Sequence, residues 1–393
     1  GRMTASPTRD EGEQDETMTE TAEIRFRELI RVEAGAATAL PTLTAAHAKT
    51  LLARTEAVPF FAHSYTFYHN MIHGMTPADL VRFAYENDLH GVCLHISDGE
   101  AAAVRKMDGK AREGLRRLLE ELGIALHLEI SSTDKAEVET AIDCARALGV
   151  KNLRVYARHE GPLSKVVEAV YADLAYICER ANQLDLHVDY EQHEDLRAAE
   201  IASILARIGD PRMNALFDYS NSLNAYEEPL AALHILAPFI RQVHVKGARK
   251  TIEPNGWGQI GVPQGSPEDE LPGARMLHDL LMLGAKTPQV IAFALEQEVD
   301  YYAPAFRGPR EPADPMIQYR EPSETPVDRS KSTARLLSDE RRWAIQQIAW
   351  NRGLVAQFRE LAAQVAPAQR GVDLPAVTHL PPAPYRHLNG ARA

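Results

Sequence analysis

A chain of 393 residues is too long for one small core and fits either one large barrel with appendages or two domains. Its 45% hydrophobic share is ordinary for a globular protein, and its net charge of −12 argues against nucleic acid or an anionic membrane surface as the main partner. Three scattered cysteines, Cys93, Cys144 and Cys178, form no Cys-x-x-Cys pair, which argues against a disulfide framework and a structural zinc site. No apolar run approaches the roughly 18 residues of a membrane span and no signal-peptide pattern opens the chain, so the cytoplasm is the expected location, with Met3 as the natural start.

Residues 1–21 are polar and acidic without apolar periodicity and read as a disordered tail. Residues 22–57 carry two helical patterns interrupted near Pro41. A strand and helix rhythm then begins. VPFFAHSYTF (58–67) is the first strand, and the helix 76–88 has Thr76 as N-cap and Pro77 in its first turn. Strands at 90–98, 124–132 and 150–158 alternate with helices at 110–123, 135–149 and 163–184, the first two closed by Gly123 and Gly149. Strands at 186–192, 214–220 and 241–247 follow, with helices at 196–209 and 230–238 between them. A Gly- and Pro-rich loop (252–273), a helix beginning ARMLHDLL and an eighth strand (289–299) complete the rhythm.

Eight strands alternating with helices predict a (β/α)8 TIM barrel over 58–302. A doubly wound sheet would place a Gly-rich phosphate turn after an early strand, and none is present. Residues 303–393 form an appendix: an extended arm rich in Pro, Arg and Glu, then a helix from Leu337 to Val365. The apolar side of that helix is read as Trp343, Ile345, Ile348, Leu354, Phe358 and Leu361.

Barrels of this kind hold their sites at the C-terminal ends of the strands, so polar residues there carry the functional signal. Glu191, Asp218 and His244 end three successive strands at offsets of 27 and 26 residues, about one βα unit each. In the eighth strand Ala292, Ala294, Glu296 and Glu298 share one face, which adds Glu296, with Glu298 as its competitor. Glu191, Asp218, His244 and Glu296 form a mostly hard donor set suited to a divalent metal, Mn²⁺ first, with Mg²⁺ or Co²⁺ as alternatives. The bland alternative is four unrelated polar strand ends. Four at equivalent places in the repeat favour the metal.

These residues lie in segments that resemble the xylose isomerase-like barrels, the sugar phosphate isomerase/epimerase group that includes D-tagatose 3-epimerases. Tyr190-Glu191-Gln192-His193-Glu194 is similar to that family's Glu-Asn-His segment, and Phe217-Asp218-Tyr219-Ser220-Asn221-Ser222 to its Asp-x-x-His/Asn segment. Val243-His244-Val245-Lys246, Gly261-Val262-Pro263-Gln264-Gly265 and Leu295-Glu296 resemble its remaining motifs. The resemblance implies that Glu191 and Glu296 also move protons on opposite faces of a bound keto-sugar. Two positions depart from the pattern: Asn221 stands where the epimerases have a substrate-binding His, and Gly247 follows Lys246 where many relatives carry Asp.

The expected substrate contacts are His193, Asn221, Lys246, His95 and Trp257, with His63 and Tyr65 as pocket walls. Lys246 stabilises an oxyanion or pairs with an inner carboxylate such as Glu129; His95 and His127 are equally readable as core histidines, and Trp257 as loop packing. The first functional reading is a metal-dependent sugar isomerase or epimerase working through an enediolate. A lyase on a 3-keto sugar or 3-keto glycoside, including decarboxylation, uses the same electron sink. Other classes are a metal-dependent phosphodiesterase of the AP-endonuclease type and a non-catalytic subunit. The partner is a small carbohydrate, with no nucleic acid and no membrane; a homo-oligomer is expected, with a second subunit as a variant.

Overall fold

A computed structural model describes residues 43–319 and 325–366. The expected tail at 1–21 and the first of the two N-terminal helical patterns lie outside the described residues. The second pattern is the helix Ala45–Arg54, capped by Thr44.

Eight parallel strands close a barrel in chain order: β1 (Phe60–His63), β2 (Gly91–His95), β3 (Ala125–Glu129), β4 (Asn152–Val155), β5 (His187–Glu191), β6 (Met213–Asp218), β7 (Ile240–Val245) and β8 (Ala292–Leu295). β8 pairs back onto β1. Each strand is shorter than its apolar run in the sequence, because the run continues into the turn that leaves the barrel. Local signals place the helices between them. Thr76 and Asp79 form a reciprocal capping box at Pro77–Glu86, and Gly123 ends Gly109–Leu122 at φ +63°, a left-handed conformation that glycine adopts without strain.

Strand period sets the interior. Phe61, Cys93, Ala292 and Ala294 form a small apolar plug low in the barrel, with the Phe61 ring 4.7 Å from that of His127. His127 meets Gln242 at 2.7 Å and Asn152 at 3.1 Å, so it is a hydrogen-bonded core histidine. Its pKa is pushed down to about 4, chiefly by burial. The same inward face, continued upward, carries Glu129, Arg154, Glu191, Asp218, His244 and Glu296.

Register decides which of these meet. Between β6 and β7 the pairing shifts, Ala215 opposing Ile240 and Leu216 opposing Gln242, so that Arg241 is skipped. Asp218 therefore lies beside His244; without the shift its neighbour would be Val243, which faces away.

Two features differ from the sequence expectation. The segment read as the loop 252–273 begins inside a hairpin, Ala248–Glu253 with Gly256–Gly261, joined by Tyr302–Ala303 as a third strand. Its glycines hide the strand from propensity. At Gly258 a Cβ would lie 2.2 Å from Glu253 Oε1 and 2.5 Å from Thr251 Oγ1, so packing demands the residue that propensity disfavours.

The C-terminal helix Thr333–Val365 begins four residues earlier than expected and packs against the side of the barrel. Ile348, Leu354 and Phe358 are buried, but Ile345 is 47% exposed. Gln347 and Asn351 take the inward places. Gln347 Nε2 donates to Val245 O at 2.8 Å, at the very end of β7. The arm before this helix runs over the barrel mouth, where Met316–Ile317 pairs with Gly161–Pro162. Among the described residues no helix is long and apolar enough to cross a membrane.

Candidate metal and substrate site

Glu191 ends β5, Asp218 ends β6, and His244 sits one residue before the end of β7; Glu296 follows β8 directly. His244 Nδ1 lies 3.1 Å from Glu296 Oε2, 3.6 Å from Glu191 Oε1 and 3.8 Å from Asp218 Oδ2. All four side chains are buried. Glu191 Oε2, Asp218 Oδ2, His244 Nδ1 and Glu296 Oε2 have no hydrogen-bond partner, although Lys246 Nζ stands 2.8 Å from both Asp218 Oδ2 and Glu296 Oε2. Buried polar atoms left without such partners are uncommon in a folded interior. Asp218 Oδ2 and Glu296 Oε2 turn toward His244 Nδ1, whereas the Glu191 oxygen nearest it is Oε1, and Glu191 Oε2 faces Arg154 Nε at 3.1 Å.

The supporting bonds fix their directions. Asp218 Oδ1 accepts from the backbone N–H groups of Ser220 and Asn221, which leaves Oδ2 for the cluster. His244 Nε2 meets Glu129 Oε1 at 3.0 Å, so with Nε2 donating, Nδ1 is free to act as a ligand. A second group of potential ligands, His63, His244 and Glu296, shares two of its members with the expected set. His63 is the weaker ligand. Its Nδ1 accepts from the Tyr65 N–H at 3.0 Å, and its Nε2 meets Glu129 at 2.9 Å.

Charge supports a cation here. Glu129, Glu191, Asp218, Glu296 and Glu298 are buried around two permanent cations, Arg154 and Lys246. Burial, with Glu296 and Asp218 nearby, raises the Glu298 carboxyl well above the usual range despite Lys246, so it is the neutral member. The other carboxyls face these two cations and His244, which Glu296, Glu129 and Glu191, against burial, raise well above its usual pKa. A divalent ion would take the place of the imidazolium proton. Burial opposes ionisation of Glu191, but Arg154 and His244 outweigh it and hold its pKa at about 2. Glu296 is likewise held well below the usual range, against burial, by His244, Lys246 and His63.

A cavity of about 720 Å³ opens above this cluster, lined by His95, His193, Glu194, Asn221, Lys246 and Tyr301 among others. His193 stacks on Tyr156 at 3.9 Å, and burial pushes its pKa down to about 3. Asn221 Nδ2 donates to Glu191 Oε1 at 3.3 Å and to Gln192 O at 3.2 Å, while its Oδ1 accepts from Gln259 of the hairpin. Its amide therefore orients Glu191.

Lys246 pairs with Asp218, Glu296 and Glu298, not with Glu129 as the sequence had allowed, because Glu129 is taken by Arg154, His63 and His244. Trp257 does not line the cavity. It packs 4.0 Å from the Tyr226 ring with Lys250 Nζ 3.7 Å from its own, a hairpin contact that satisfies its apolar face. His95 does reach the cavity and bonds Ser131 Oγ at 3.2 Å.

Several cavity residues escaped the sequence reading. Arg154 lies on the inward face of β4, a strand that ends in no carboxylate or histidine, and Tyr156 directly follows that strand. Tyr301, Phe306 and Tyr319 come from beyond the barrel's last strand. Glu194 was visible only as a neighbour of Glu191. It sits at φ +32°, a strained region for a residue with a side chain, and accepts a hydrogen bond from Tyr301 Oη. Burial raises its pKa to about 7.

A family model described as xylose isomerase-like TIM barrel matches residues 81–265. The uncharacterized protein YihM of Escherichia coli (strain K12) is 37% identical over 321 residues, covering 81% of this chain and 98% of that protein. Among solved structures, a xylose isomerase-like TIM barrel protein from Mycobacterium smegmatis in complex with magnesium is 11% identical. That match covers 75% of this chain and 98% of that one, with a TM-score of 0.47. A D-tagatose 3-epimerase-like protein has the same TM-score at 14% identity, covering 61% of this chain and 91% of that one. The chain belongs to the xylose isomerase-like TIM barrel family.

Proposed function

We propose that this protein is a divalent-metal-dependent enzyme that removes a carbon-bound proton next to the carbonyl of a sugar, as an isomerase or epimerase does. The grouping of buried Glu191, Asp218 and His244, with Glu296 Oε2 3.1 Å from the same His244 Nδ1, carries the reading. Three carboxylates and one imidazole suit Mn²⁺, with Mg²⁺ or Co²⁺ as alternatives. When bound, the metal would polarise the carbonyl and its neighbouring hydroxyl and so lower the cost of carbanion formation.

The chain's own groups do the remainder. Glu191 and Glu296 are ionised at neutral pH and are the bases available to take the proton. Arg154 Nε, 3.1 Å from Glu191 Oε2, and Lys246 hold these two glutamates in place and in charge. Glu194, its pKa raised by burial to about 7, lines the cavity as Glu298 does and is the acid in this reading. It protonates a sugar oxygen during isomerisation.

That same acid supports the second reading, a lyase in which Glu194 protonates a leaving group β to the carbanion. A multi-metal phosphodiesterase finds less support, since the two candidate ligand groups among the described residues share His244 and form one site.

Solvent-deuterium exchange into a panel of keto-sugars tests the reading, with protein stripped by chelator and reloaded with Mn²⁺. Exchange that depends on metal, and falls at least about a hundredfold in Glu191→Gln, is expected. Unchanged metal content and unchanged exchange in that variant would overturn the assignment.

A further inference from the structure

Three cations line the cavity, and two of them are spoken for. Arg154 pairs with Glu129 and Glu191, and Lys246 with Asp218, Glu296 and Glu298. Arg158, at the mouth, has no carboxylate within salt-bridge distance among the described residues. Its one hydrogen bond runs from Nη2 to Tyr156 Oη at 2.7 Å. The guanidinium carbon lies 5.1 Å from the Tyr156 ring and 5.6 Å from that of Tyr319. Two aromatic faces thus hold a planar fork whose other N–H donors remain unused.

Tyr319 is itself fixed. Its Oη donates to Asp195 Oδ2 at 3.0 Å and its backbone N–H to Glu160 Oε1 at 2.9 Å. Tyr156 Oη accepts from Arg158, which leaves its own proton to give. The Tyr156 ring also measures the distance inward. Arg154 stands 5.1 Å from the same centroid and bonds Glu191, and the Tyr156 ring stacks on His193. The two guanidinium carbons are therefore within about 10 Å of one another, a span that a six-carbon sugar derivative can cross.

We propose that Arg158 binds an oxyanion, a carboxylate or a phosphate ester, at the end of the sugar remote from the reacting carbonyl. The substrate is then a sugar acid or sugar phosphate and not a neutral ketose. This inference rests on the sugar-enzyme reading above for the identity of the ligand, but not for the anion site itself. The acidic cavity sharpens the point. An anion entering beside Glu160, Glu194 and Asp98 meets repulsion, and Arg158, which feels the Glu194 charge but forms no salt bridge among the described residues, is what admits it. The competing role for Arg158 is to clamp the arm through Tyr319. A clamp would affect neutral and charged ligands alike.

Two measurements separate these roles. The first is calorimetric titration of metal-free protein with D-sorbitol 6-phosphate, D-gluconate and D-sorbitol, none of which has a carbonyl to react. Wild type binds one or both anions more tightly than D-sorbitol, and Arg158→Ala weakens anion binding at least about tenfold, with Arg158→Lys intermediate. Preference for the phosphate or for the carboxylate identifies the source of the oxyanion. Equal binding of all three, or equal weakening of all three in Arg158→Ala, overturns the proposal.

The second measurement is deuterium exchange into D-fructose 6-phosphate, D-fructuronate and D-fructose by Mn²⁺-loaded protein. Arg158→Ala raises KM for the anionic probe and leaves kcat little changed. Arginine-dependent anion binding without exchange from any probe would remove the proposed chemistry and keep the subsite. Exchange from D-fructose without anion preference would remove the subsite and keep the chemistry.

Discussion

Glu129 shows how much of the site depends on a residue that does not line the cavity. Its two oxygens are shared among Arg154, His63 and His244, and these three outweigh burial and hold its pKa well below the carboxylate range. Glu129→Gln would keep one acceptor oxygen but remove the charge and set an NH2 donor against Arg154, His63 or His244, loosening the bond that sets the His244 tautomer. Metal affinity is expected to fall roughly 10- to 100-fold with the fold retained, measured by metal titration alongside circular dichroism. Asn221 carries a narrower expectation. Because its amide bonds Glu191 and its carbonyl accepts from Gln259, Asn221→Ala would lower kcat more than it raises KM, read from steady-state kinetics on any exchanging sugar. A change confined to KM would mean that Asn221 binds substrate directly.

At the scale of elements, two local devices have measurable weight. The Thr76 capping box satisfies the first turn of Pro77–Glu86, and Thr76→Ala should cost about 1 kcal/mol in chemical denaturation. The hairpin Ala248–Glu253 and Gly256–Gly261 matters for a different reason: its Gln259 reaches Asn221 and Asn224. At Gly258 an added Cβ would also lie 2.8 Å from the Ala303 carbonyl oxygen, which cannot swing away as a side chain can. Gly258→Val should therefore lower both the thermal midpoint and kcat, whereas Trp257→Ala, on the hairpin's outer contact, should leave kcat nearly unchanged. Equal losses from the two substitutions would show that Trp257 also serves the site.

For the whole molecule the buried carboxyls divide into two groups with opposite pH signatures. Burial raises Asp189 and Asp195 to about 6, and Asp269 and Glu194 to about 7. A raised folded pKa means that the native state binds more protons, so their contribution is present below about pH 4 and is lost as pH rises through 6 to 7. Glu129, Glu191 and Glu296 have lowered values, so their contribution is complete above about pH 4.5 and is lost only under acid. Buried His90, His127 and His193, lowered to about 4, 4 and 3, oppose the first group's loss up to about pH 6.5, so the test is a comparison: metal-free Asp269→Asn should lose less thermal stability than wild type between pH 5 and 8. Parallel profiles would contradict the assignment.

Apolar period, capping residues and glycine stops were enough to count eight strands and to place the helices between them, because each is a local property of a few adjacent residues. The same period put Glu191, Asp218, His244 and Glu296 at inward strand ends. It also separated Ala292 and Ala294 from Leu295, since alternation along a strand needs no knowledge of its neighbours.

What lay beyond the sequence depended on contacts between distant segments. The shift between β6 and β7 that sets Asp218 beside His244, the capture of Glu129 by Arg154 and two histidines, and the placement of Lys246 among three carboxylates are products of barrel closure. The hairpin was hidden because close packing required glycines where strand propensity is poor. The roles of Tyr301, Phe306 and Tyr319 were hidden because an arm's path is set by the surface it crosses. The inventory of ligands is thus written in strand period, and their partners are decided by the closed barrel, where burial makes every neighbouring charge count.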